Sequence, residues 1–202
     1  MKEIKIFYQL NTNPGFKSIE TFHAIDEQPW AATDAANAGF HLSYTDKYLR
    51  LEFIVSEKHL MAIHNQINQP VYKDSCVEFF IGFEHDKGYY NFEFNCTGTA
   101  LVGFGEGKER ELLPAELIRR IETEVSIKPE HEGFISWNIV IHIPFQLFIK
   151  HRITTFKGRV CRANFYKCGD DLQEPHSLTW NKIQSEEPNF HLPKFFGELV
   201  FE

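Results

Sequence analysis

The residues best suited to chemistry are two acids, Glu78 and Glu93, in neighbouring stretches of the same design. In SCVEFFIGF (75–83), Val77, Phe79, Ile81 and Phe83 share one face of an extended chain, and Cys76, Glu78 and Phe80 share the other. In YYNFEFNC (89–96), Tyr90, Phe92, Phe94 and Cys96 oppose Asn91, Glu93 and Asn95. The intervening EHDKG (84–88) reads as a turn, so the two runs form a hairpin with both acids on its polar side. Carboxylates so placed can hydrolyse a glycosidic bond if their separation suits it, accept hydrogen bonds from hydroxyl groups, or hold a hard cation. They can also be two acids on a solvated sheet face.

A second polar pair, Arg162 and Asn164, lies on a late strand, RVCRANFY (159–166). A guanidinium supplies fixed donors and an amide supplies donors and an acceptor, the mixture that sugar hydroxyls need. Arg162 can equally pair with Glu78 or Glu93 across strands. The apolar face of a sugar stacks on a flat ring at a rim or loop, and Tyr72 (PVYKDS) and Trp180 (SLTWNKI) are placed for that role. Trp30 and Trp137 read as structural. Asp74 can cap a turn, join a salt bridge or ligate calcium, and His191 can orient loops or bind ligand but reads first as a packing or capping histidine. GFGEG (103–107) lacks the lysine of a phosphate loop and reads as a turn. No nucleophile elbow, P-loop or H-E-x-x-H site is present.

The elements that must position these groups are strands. YLRLEFIV sets Leu49, Leu51, Phe53 and Val55 against Arg50, Glu52 and Ile54; FISWNIVIHIPF sets Trp137, Ile139, Ile141 and Ile143 against Asn138, Val140 and His142. An opening strand is expected at 4–10 and a closing one in FGELVFE. Residues 16–26 carry Phe16, Ile19, Phe22 and Ile25 at helical spacing, and PAELIRR (114–120) suits a turn or two of helix. Short strands separated by turns, with no long helical segments, predict an all-β fold, an antiparallel β-sandwich in preference to a barrel, with at most short helices and as a single domain over 1–202. The 20 Phe and 43% hydrophobic residues are ample for a core without a metal or disulfide framework.

Cys76, Cys96, Cys161 and Cys168 form no CxxC pair or zinc pattern and are expected reduced, with Cys161–Cys168 across a hairpin as the pair to check. The net charge of −7, with no Lys/Arg-rich run, argues against a nucleic-acid partner. No apolar run is long enough to span a membrane. The first ten residues lack a signal peptide's apolar stretch, so a cytoplasmic location is the default expectation, or a secreted or periplasmic one if a leader was removed.

PVYKDSCVEFFIGF (70–83), YYNFEFNCTGTAL (89–101), IPF (143–145), RANFYKCG (162–169) and NFHLPKFFGELVF (189–201) together resemble the family 9 carbohydrate-binding modules over residues 28–201. The resemblance implies a jelly-roll-like sandwich that holds the end of a plant-type or related oligosaccharide or polysaccharide between two aromatic side chains, without cleaving it. It places Tyr72 where relatives carry the first clamp Trp, makes Glu78 the preferred polar residue, and makes Trp180 the second clamp residue. Glu93, Arg162 and Asn164 complete the expected site, and calcium is an implied stabilising ion. Two other readings stand beside it: a glycoside hydrolase using Glu78 and Glu93, and a protein-interaction sandwich that has lost its sugar site. Relatives occur attached to polysaccharide-degrading enzymes, so an association with glycosyl hydrolysis can be inherited from them.

Overall fold

The computed structural model describes residues 1–10, 21–83 and 86–202. Among the described residues there are thirteen strands: β1 (Glu3–Ile6), β2 (His23–Ile25), β3 (Ala36–Tyr44), β4 (Tyr48–Glu57), β5 (Cys76–Phe83), β6 (Tyr89–Asn95), β7 (Ala100–Glu106), β8 (Glu109–Leu112), β9 (Glu122–Pro129), β10 (Ile135–Pro144), β11 (Val160–Cys168), β12 (Ser177–Thr179) and β13 (Gly197–Phe201). A single helical turn, α1 (Ala115–Ile118), follows Pro114. The helical spacing of 16–26 falls partly on residues 11–20, outside the described residues, and His23–Ile25 is strand. Among the described residues no helix is long and apolar enough to cross a membrane.

The strands form two sheets. The larger runs β1-β13-β11-β5-β6-β7-β8, with β12 also on β11; the smaller runs β2-β3-β4-β10-β9. Neighbours are antiparallel except β1, which lies parallel to β13 with Glu3 beside Glu198 and Ile6 beside Phe201.

The alternating rows meet between the sheets. Leu49, Leu51, Phe53 and Val55 of β4 and Trp137, Ile139, Ile141 and Ile143 of β10 pack towards Val77, Phe79, Ile81 and Phe83 of β5 and Phe92 and Phe94 of β6. Period-two side chains put every second residue into one interior, which is how the rows read from the sequence become one core. Phe165 of β11 lies at its centre, stacked on Phe40 at 3.6 Å between ring centroids and on Phe79 at 4.9 Å. Trp180 meets Phe165 edge-on at 5.5 Å and is only 2% exposed.

All four cysteines are free. Cys161 and Cys168 are not across a hairpin, because both lie in β11. Seven residue steps along the strand separate them by roughly 23 Å, beyond any disulfide.

Candidate functional site

The outer face of the larger sheet carries the groups with chemistry. Glu78 of β5 lies directly opposite Glu93 of β6, as the hairpin predicts. The face is not open to solvent, however. Segments around Val71–Lys73 and 181–196 cover much of it, leaving Glu78 3% and Glu93 1% exposed. A cavity of about 280 Å³ remains, lined by Tyr72, Glu78, Glu93, Arg110, Cys168 and Phe190, with His191, Lys108 and Asp170 among its other walls.

Tyr72 is half-buried. Its carbonyl accepts from the Asp170 amide at 3.2 Å and the Lys73 carbonyl from the Asp171 amide at 3.1 Å, which ties the turn to the end of β11. Phe190 is the other phenyl-type ring of the pocket. It stacks on Tyr166 at 4.2 Å with planes 10° apart, and Trp30 packs against it at 5.8 Å. Trp30 is fixed in turn by its indole N–H, which donates to the Ser185 carbonyl at 3.1 Å.

Glu93 Oε1 accepts from Asn91 Nδ2 at 2.8 Å and from Arg110 Nη2 at 2.9 Å. Glu93 Oε2 and Arg110 Nε are buried with no hydrogen-bond partner. Arg110 Nη1 donates to His191 Nε2 at 3.0 Å, so the His191 proton sits on Nδ1, which lies 2.7 Å from the Tyr89 hydroxyl. That hydroxyl donates to the Gly107 carbonyl at 2.8 Å. Burial, with Arg110 adjacent, holds His191 neutral by lowering its pKa to about 3. One wall of the pocket is therefore a directed hydrogen-bond chain that aims Arg110.

Burial raises Glu93 to about 7 despite Arg110, and raises Glu78 well above the carboxylate range, with Cys168 and Glu93 adding to the effect. A carboxyl that keeps its proton both donates and accepts, which matches a hydroxyl. Cys168 Sγ lies 3.2 Å from Glu78 Oε1 and donates to it. The two acids stand directly opposite each other on neighbouring strands of one sheet.

The other expected residues lie elsewhere. Trp180 is in the core between the sheets and does not line the pocket. Asn164 is on the site-bearing face of β11 but fully buried: its Nδ2 donates to the Asn181 carbonyl at 3.0 Å and its Oδ1 accepts from the Asn181 amide at 2.9 Å. Arg162, nearer the start of β11, donates to the Asp86 carbonyl. The structure thus brings Tyr72, Glu78 and Glu93 together and holds Trp180, Arg162 and Asn164 away from them.

Asp74 is fully buried and caps a loop. Its carboxylate accepts from the amides of Ile63 and His64 at 3.2 and 3.0 Å and from Asn95 Nδ2 at 2.9 Å, and His64 Nδ1 lies 3.0 Å away. Oxygens filled by nitrogen donors suit a structural carboxylate better than a calcium ligand, since calcium takes six to eight oxygens.

Comparison with known proteins decides which family this fold belongs to. The model of the carbohydrate-binding family 9 matches residues 16–201. The chain belongs to carbohydrate-binding family 9. A protein of Bacteroides uniformis, described as a candidate carbohydrate-binding protein, is 33% identical to this family 9 domain; the match covers 100% of this chain and 99% of that one, with a TM-score of 0.89. A family 9 module from Caldicellulosiruptor kristjanssonii in complex with glucose is 16% identical, with coverage of 100% and 96% and a TM-score of 0.67. The cellotriose complex of a module from the same organism is 15% identical, with coverage of 100% and 94% and a TM-score of 0.66. No match was found among curated proteins. This family 9 domain is thus an all-β, non-catalytic carbohydrate-binding sandwich.

Proposed function

We propose that the pocket between Tyr72 and Phe190 captures the reducing-end unit of a glucose-type oligosaccharide or polysaccharide. Tyr72 and Phe190 supply flat surfaces for the apolar faces of a pyranose ring, while Glu78, Glu93 and Arg110 orient its hydroxyls. The observation that carries this reading is the pair of unpartnered buried atoms, Glu93 Oε2 and Arg110 Nε, beside two aromatic side chains in one cavity. A buried polar atom left unpaired costs roughly 1–3 kcal/mol, and a ligand hydroxyl removes that cost. The volume of about 280 Å³ falls at the lower edge of the usual range for small-molecule pockets, about 300–1,000 Å³, and so suits one or two sugar units rather than a long chain segment. The glucose and cellotriose complexes of the Caldicellulosiruptor modules support the sugar class.

Calorimetry with glucose, cellobiose, cellotriose, xylobiose and their end-reduced alditols tests the proposal. Binding of an intact sugar, lost or weakened on reduction of its end ring, is the expected result. Equal binding of intact and reduced chains would overturn capture of a ring at the reducing end, and no binding to any member of the panel would overturn the glucose-type assignment.

A further inference from the structure

The floor of the same pocket carries a second set of ligand atoms. Cys76 of β5 pairs directly with Cys168 of β11, and Glu78 follows two residues later on the same face. One ligand atom from each of Cys76, Glu78 and Cys168 lies within 4.8 Å of the others. We propose that these three residues bind a thiophilic divalent cation, with zinc as the type ion and its open coordination position facing the sugar pocket.

Geometry, chemistry and access agree. Tetrahedral zinc, with bonds of about 2.3 Å to sulfur and 2.0–2.2 Å to oxygen, needs ligand atoms roughly 3.5–3.8 Å apart. The set, now within 4.8 Å, would contract to that spacing on binding. Cys168 Sγ now donates to Glu78 Oε1 at 3.2 Å, a hydrogen bond that a bound cation would replace. As the metal bonds form, each thiol and the Glu78 carboxyl yield their protons to solvent. Two sulfurs and one carboxylate select zinc or cadmium over calcium or magnesium, which prefer all-oxygen shells. Cys168 and Glu78 line the pocket, which provides a route in and space for a fourth ligand, either water or a sugar hydroxyl.

Charge is compatible as well. Two thiolates and a carboxylate around a dication leave one net negative charge. Burial raises Cys76 to about 12 and Glu78 well above the carboxylate range, and the hydrogen bond with Cys76 together with burial raises Cys168. The charges of Arg110 on Glu78 and of Lys167 on both cysteines oppose this, as a bound dication would. The remaining thiols make natural controls. Cys96 and Cys161 face the core between the sheets rather than the pocket.

The site does not depend on the sugar assignment, so the test omits saccharide. Cadmium titrated into the full chain should produce a thiolate-to-cadmium charge-transfer band that saturates at one equivalent. Cys76→Ser and Cys168→Ser should abolish it, while Cys96→Ser and Cys161→Ser should leave it unchanged. Glu78→Gln, which keeps both thiols, should weaken zinc binding at least tenfold by competition with a chromophoric chelator. Circular dichroism establishes that each variant is folded, and Glu78→Gln decides the matter if a serine variant is not. Absence of the band in the wild type, its persistence in Cys168→Ser, or unchanged zinc affinity in Glu78→Gln would overturn the proposal.

Discussion

Lys167 Nζ lies 2.9 Å from Glu57 Oε2, and neither side chain is exposed to solvent. The pair joins the two sheets, Lys167 from β11 and Glu57 from the end of β4. Trp137 Nε1 donates to Glu57 Oε1 at 2.6 Å, and Lys167 Nζ also donates to the Cys168 carbonyl at 2.8 Å. Removing one member strands the other charge in the interior. Glu57→Leu or Lys167→Met should therefore destabilise the fold by about 3–5 kcal/mol, and the double variant by less than the sum. Urea denaturation of the four proteins measures this.

His176 reports on the same cluster. Its Nε2 accepts from Lys167 Nζ at 3.0 Å, and burial together with Lys167 lowers its pKa from 6.5 to about 4, against smaller opposing effects of Glu57 and Glu174. Between those two values the unfolded chain binds a proton that the folded chain refuses. Stability should therefore rise with pH across this window and fall on acidification through it. His176→Gln should flatten this part of the profile, read as the difference in urea midpoint between variant and wild type from pH 4 to 6.5.

Tyr72→Ala and Phe190→Ala should each lower saccharide affinity at least tenfold, or about 1.4 kcal/mol. Trp180→Ala should behave differently. It empties a core site against Phe40 and Phe165, so the expected loss is about 3–5 kcal/mol of stability. Trp180→Phe, which refills most of that space, should bind sugar with wild-type affinity. Calorimetry beside thermal melts separates the two effects.

Gly197 packs where no side chain fits. A Cβ there would lie 2.5 Å from Trp180 Cζ3 and 2.7 Å from the Lys2 carbonyl oxygen. Gly197→Ala should cost about 1–3 kcal/mol through overpacking, visible as a lower urea midpoint.

What the sequence disclosed follows from how far each signal extends along the chain. Period-two alternation is local, so the core rows of β4, β5, β6 and β10 were legible, and so was the shared side of Glu78 and Glu93. Arg110, His191 and Phe190 come from β8 and from the loop ahead of β13, brought to the pocket by sheet order that no local pattern encodes. Phe190 also lies in NFHLP, without alternation to assign it a face. Trp180 was expected at a rim because polar residues precede it, but its amide donates to the Phe165 carbonyl at 2.8 Å, and this draws its ring into the interior. For Arg162 and Asn164, parity identified the face of β11 correctly. It could not show that Asn181 and Asp86 would occupy their polar groups.

The parallel contact of β1 with β13 has a mechanical consequence. The chain enters β1 at one end of the pair and leaves β13 at the other, with the rungs from Glu3–Glu198 to Ile6–Phe201 between them. Tension applied at residues 2 and 202 pulls the two strands past one another along their length, so these rungs share the load and must shear together instead of peeling one by one. A domain pulled through both β1 and β13 would thus meet force with its stiffest geometry.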